Sequence, residues 1–163
     1  MGPAGSVRRP TSAKPSRLAA VGVPSEGALR RGATFVAAFG IGVATYLAIS
    51  TAGGDAPVCL AGSKGCETVT SSSHSELAGI NIAILGIAGY VMLLICALLR
   101  GDAARMGGFV GALIGFGYSV YLTYLELFVI DAICQWCVAS AVLMTILFAL
   151  GAIRMVRYVG TPP

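Results

Sequence analysis

The chain has 163 residues, of which 56% are hydrophobic and only 11% charged, and its mean hydropathy is +0.85. A soluble domain carries roughly 25% charged residues, so this composition belongs in a bilayer, and the length suits one domain. The formal net charge of +4 comes without a basic block interleaved with aromatics, which excludes nucleic-acid binding as a reading.

Residues 1–31 are rich in Gly, Pro, Ser, Ala and Arg, lack apolar periodicity, and read as a disordered tail. Residues 33–52 (ATFVAAFGIGVATYLAISTA) are uncharged and reach the length of about 20 residues that crosses a bilayer. Arg30-Arg31 before this run and Ser50-Thr51-Ala52 after it resemble a cleavable export signal, but the length of the run and the tail ahead of it favour a retained anchor. Residues 53–78 form a polar segment rich in Gly and Ser that holds Cys59, Cys66 and His74. Three further apolar spans follow at 79–99, 106–130 and 133–153. Glu126 is the only charge within them, and 159–163 form a short tail. Gly107, Gly108, Gly111, Gly115 and Gly117 in the third span allow close helix approach within a membrane bundle. The fold expected is all-α: an integral membrane four-helix bundle over residues 32–158, with a long extracytoplasmic loop between helices 1 and 2.

Basic residues set the orientation. Arg30 and Arg31 precede the first span, Arg100 and Arg105 separate the second from the third, and Arg154 and Arg157 follow the fourth. The other two connections hold Lys64 as their only basic residue. The positive-inside rule then makes both termini cytoplasmic. Cys59, Cys66, Cys134 and Cys137 lie on or near the outer side, where disulfides persist.

The fifth cysteine, Cys96, has no partner in its compartment and reads as a small core residue. Cys134 and Cys137 form C-x-x-C at the start of the last helix. Free N–H groups and the positive dipole end there favour a thiolate and ready thiol–disulfide exchange. With Cys59 and Cys66 on the same face, two pairs make a relay possible, one meeting a soluble partner and the other meeting something in the bilayer. Structural disulfides are the plainer alternative. A four-cysteine zinc site would need reduced thiols on an oxidising face, and a metal or thiol transporter would need polar residues inside the bundle. His74, in SSSHSE, reads as a solvated loop residue. Glu126 is open between an interfacial residue and one that tunes proton delivery, and Trp136 between an interfacial anchor and a shield. Phe116, Tyr118, Tyr121, Tyr124 and Phe128 read as helix packing before pocket lining.

The stretch CLAGSKGCETVTSSS, the helix start GINIAILG and the stretch SVYLTYLELFVIDAICQWCVAS together resemble the vitamin K epoxide reductase family over roughly residues 33–157. The likeness is nearest to bacterial members, which oxidise exported proteins through DsbA-like partners and pass electrons to quinone. DsbB-type reductases carry the two cysteine motifs in the reverse order. The resemblance implies a multi-pass protein of the bacterial inner (cell) membrane acting as a quinone-dependent thiol:disulfide oxidoreductase. Menaquinone or ubiquinone would be the acceptor. It implies that Cys134 and Cys137 are the active-site pair, with Cys137 facing the quinone. Cys59 and Cys66 would be the shuttle pair, Cys66 taking electrons from the partner and Cys59 passing them to Cys134. Ser72 would match the family serine near the quinone, with Ser71 and Ser73 as close competitors. No thioredoxin-like domain follows the fourth span, so the partner expected is a separate thioredoxin-fold protein. Asn81 stands where the bacterial pattern usually has proline. Ala141 stands where animal enzymes have a tyrosine associated with vitamin K, which favours quinone reduction over epoxide reduction.

Overall fold

The computed structural model describes residues 24–53, 57–59, 65–72, 76–77 and 79–160. Lys64, Ser73 and His74 lie outside the described residues, as do most of the N-terminal tail and the last three residues. Among the described residues four long helices carry the chain: α1 (Glu26–Ala52), α3 (Ile82–Leu98), α4 (Asp102–Phe128) and α5 (Gln135–Val159). A one-and-a-half-turn helix, α2 (Gly65–Thr70), and a small antiparallel pair, β1 (Glu76–Leu77) with β2 (Ile80–Asn81), sit between α1 and α3.

Local chemistry sets each helix end. Ser25 caps α1 by accepting the Ala28 N–H on its hydroxyl at 3.3 Å, and Glu26 adds negative charge to the positive first turn. The helix therefore starts earlier than the apolar run, and residues 26–31, which composition assigns to the tail, are helical. Asn81 caps α3 by accepting the Ala83 N–H at 2.8 Å. Gly101, at φ 130°, supplies the turn into α4, a conformation that a side chain would oppose.

α1 packs on α3 and α5, and α4 packs on α3 and α5, which closes a ring of four helices. Small residues on α1 (Ala33, Ala37, Gly40 and Ala44) let α3 come close, and the Tyr90 ring lies directly on Gly40. The Tyr90 hydroxyl reaches across to the Ser140 carbonyl at 3.0 Å, which fastens α3 to α5. Large apolar side chains such as Phe35, Phe39 and Phe128 instead point outward and are more than 60% exposed without lipid: 74%, 64% and 70%. Three of the helices are long and apolar enough to cross a membrane, and α3 is a shorter apolar helix of 17 residues. An apolar exterior around a small-residue core makes this an all-α membrane protein.

The two ends of the bundle differ. At one end Arg30 donates to the Ala97 and Leu98 carbonyls at 3.0 and 2.6 Å, which satisfies the last turn of α3. There Glu26 pairs with the buried Arg154 at 3.0 Å, and Arg105 pairs with Asp102 and lies over the Tyr158 ring. The cysteines of the loop and of α5 gather at the opposite end.

Candidate active site

The turn from α4 to α5 builds the first part of the site. The N–H groups of Val129 and Ile130 both bond the Leu125 carbonyl, at 3.0 and 2.9 Å, and so close the end of α4. Asp131 then adopts a left-handed conformation, φ 51°, and Cys134 runs extended before the first turn of α5. The Cys134 carbonyl accepts the Val138 N–H at 3.0 Å, but its side chain does not cap the helix. The positive end of α5 is therefore left facing the cysteines. Cys134 is fully buried, and its N–H donates to Oε2 of Glu126 at 3.1 Å. Glu126 is only 5% exposed, and its carboxylate and the Cys134 sulfur both contact the Cys137 thiol.

The loop supplies the second part. Cys59 and Cys66 form a disulfide, with their Cα atoms 6.1 Å apart, while Cys134 and Cys137 are free thiols. Two aromatic side chains hold the backbone just before Cys59. The Val58 N–H donates to the Tyr46 hydroxyl at 2.9 Å, and the Val58 carbonyl accepts the Trp136 indole N–H at 3.0 Å. On the other side of the disulfide, the Gly65 backbone rests directly on the Ile133 carbonyl, so closely that a Cβ has no room. Cys66 and Cys134 each follow one of those two touching residues, and both are fully buried. Cys59 keeps some exposure.

Beyond Cys137 lies a cavity of about 400 Å³ between the helices, within the range that small-molecule sites occupy. Its walls are mostly apolar, with Leu85, Gly86 and Gly89 from α3 facing Ile114 and Gly115 from α4. Its polar side groups include Ser72, Asn81, Glu126, Cys137 and Ser140. Cys134 does not line it. The two cysteines thus face different surroundings: Cys137 opens onto the cavity, and Cys134 is enclosed toward the loop pair.

A family model described as the vitamin K epoxide reductase family matches residues 33–152, most of the chain. The chain belongs to the vitamin K epoxide reductase family. It is therefore a membrane oxidoreductase in class, with a disulfide between Cys59 and Cys66. No curated protein matches the sequence.

Against that family pattern several residues gain definite positions. The described serines separate. The Ser71 hydroxyl is exposed and bonds the Glu67 carbonyl at 2.7 Å, whereas Ser72 lines the cavity and bonds the Val69 carbonyl at 2.7 Å. Asn81, at the position where bacterial relatives were expected to have proline, caps α3 and donates to the Thr51 hydroxyl at 3.1 Å, which ties the α3 start to the end of α1. Ala141 lines the cavity. Of the aromatics on α4, Tyr118 lines the cavity, Phe116 stacks on Phe148 at 5.0 Å, and Tyr124 packs on Phe128. In the loop pair Cys66 is fully buried and Cys59 partly so, and the Cys59 sulfur accepts the Cys66 N–H at 3.3 Å. Tyr46 was not foreseen in any role. Its only sequence-level signal is an aromatic hydroxyl near the end of an apolar span.

Proposed function

We propose that this protein reoxidises a separate DsbA-like, thioredoxin-fold thiol oxidase outside the cytoplasm and passes two electrons to a membrane quinone, in support of disulfide formation in exported proteins. The observation that carries this reading is the ordered series of sulfurs: a partly exposed Cys59, an enclosed Cys66, an enclosed Cys134, then Cys137 on an apolar cavity. A water-soluble protein dithiol and a lipid-soluble acceptor cannot meet directly, and this series spans the distance between them. Arginines at the opposite end of the bundle support an orientation with that end in the cytoplasm.

In this reading the partner's thiolate attacks Cys59, the less buried residue of the loop pair, and releases Cys66 as a thiolate. The partner's second thiol then displaces Cys59 and leaves with a disulfide of its own. Cys66 attacks Cys134 of an oxidised Cys134–Cys137 pair and frees Cys137. Cys59 resolves the Cys66–Cys134 bond, re-forming Cys59–Cys66 and leaving Cys134 and Cys137 reduced. Uncapped N–H groups at the start of α5 stabilise the thiolates during exchange.

The cavity residues fit a quinone. Gly86, Gly89 and Gly115 leave a slot between α3 and α4 for a flat ring and an apolar tail, and Ser72 and Cys137 supply polar contacts at its cysteine end. A bound quinone supplies a two-electron, two-proton acceptor that stays in hydrocarbon. Menaquinone and ubiquinone both satisfy this chemistry. The test is anaerobic mixing of the purified protein, a reduced DsbA-like protein and a soluble short-chain quinone, followed by quinone absorbance. Wild type should turn over, and Cys134→Ala and Cys137→Ala should not. Turnover retained in either variant would sink the relay.

A further inference from the structure

Oxidising two thiols to a disulfide releases two protons along with two electrons, and the cavity that receives the electrons is nearly all apolar. Among the described residues that line it, Glu126 is the one carboxylate, and no basic side chain joins it. The other titratable groups there are Cys137 itself, Tyr118 on α4 and Tyr90 on α3. The Tyr90 hydroxyl is already engaged by Ser140. A carboxylate enclosed in a bilayer bundle is costly to keep, so residues of this kind usually act on protons or ions.

We infer that Glu126 is the proton carrier of the site: it is buried, bonded to the Cys134 N–H at 3.1 Å, and lines the same cavity as Cys137. The inference rests on the quinone reading above. Cys134, 0% exposed, is released as a thiolate when Cys59 resolves the Cys66–Cys134 bond, and it is the attacking sulfur. It forms the S–S bond with Cys137 as the electron pair leaves for the quinone. The carboxylate takes the Cys137 proton in that step and gives it to the nearer quinone oxygen, ending as it began. The farther oxygen takes its proton from water, which balances the one lost to water when the thiol upstream of Cys134 became a thiolate. The sum is two thiols plus quinone giving one disulfide plus quinol.

Glu126→Gln discriminates this role from a purely structural one. The amide oxygen still accepts the Cys134 N–H, but it cannot carry a proton. Purified wild type, E126Q and E126D are compared in two assays. One measures quinone reduction with a short-chain quinone. The other measures electron transfer from the loop pair to Cys134–Cys137, read by thiol alkylation and mass spectrometry without quinone. Losing general acid–base help lowers a rate by roughly 10²–10⁴-fold. E126Q should therefore slow quinone reduction by about a hundredfold or more while loop-to-α5 transfer keeps its wild-type rate, and E126D should recover part of the loss. Wild-type quinone reduction in E126Q overturns the inference, and so does a parallel loss of both steps. A wild-type protein that oxidises its partner yet never reduces quinone overturns the quinone reading, and this inference with it.

Discussion

Trp136 donates its indole N–H to the carbonyl of Val58 at 3.0 Å, so the side chain between the two α5 cysteines holds the residue that precedes the first loop cysteine. Tyr46 on α1 accepts the Val58 N–H from the other side, and the two rings lean together with centroids 4.8 Å apart. Both backbone polar groups of one loop residue are thus taken by aromatic side chains of the bundle. The loop pair owes its place beside the α5 pair to this clasp and to the contact of Gly65 with Ile133.

Trp136→Phe keeps the ring and removes the donor. Loss of one hydrogen bond of about 1 kcal/mol should slow loop-to-α5 thiol exchange about fivefold. Quinone reduction from a chemically reduced Cys134–Cys137 pair should be unchanged. Rapid quenching with an alkylating reagent measures the first rate. An equal effect on both steps would count against a positioning role.

Gly65→Ala puts a Cβ where the Ile133 carbonyl stands, and the partner atom is rigid backbone. The start of α2 must then move away from the start of α5. Exchange between the pairs should fall by about a hundredfold, as expected when reacting groups are displaced by about 1 Å. Formation of the Cys59–Cys66 disulfide should persist, and a non-reducing mass measurement checks it.

A DsbA-like partner stripped of its resolving cysteine should be trapped as a mixed disulfide on Cys59, the less buried cysteine of the loop pair. Peptide mapping of the trapped complex identifies the site. Recovery on Cys66 would restore the order that the family resemblance implied.

Asn81→Ala removes both the cap on the Ala83 N–H and the bond to Thr51. Thermal unfolding in detergent should show a loss of about 1 kcal/mol, typical of an N-cap. Thr51→Ala added to it should cost less than it does alone, because the shared bond is already gone.

Four helices could be read from the sequence because uncharged runs of bilayer length have few other uses. The cysteine pairs could be read because their spacing and their common end follow from the spans. The start of α1 could not. Glu26, Arg30 and Arg31 resemble a polar tail until their partners are known, and those partners, Arg154 and the Ala97 and Leu98 carbonyls, lie far along the chain. Trp136 was opaque for the same reason, since its acceptor is 78 residues away. Glu126 marked itself as the lone charge within the spans, but its tie to Cys134 depends on the tight turn at Asp131, which hydropathy does not encode. The relative exposure of Cys59 and Cys66 likewise comes from tertiary packing alone.

That turn at Asp131 has a wider consequence. Glu126, Cys134 and Cys137 all lie on one uninterrupted stretch of chain, whereas the disulfide-bearing loop is a separate segment attached through Val58 and Gly65. Substitutions at the Val58 and Gly65 anchors should therefore shift the disulfide-bearing loop while Glu126 keeps its bond to the Cys134 N–H.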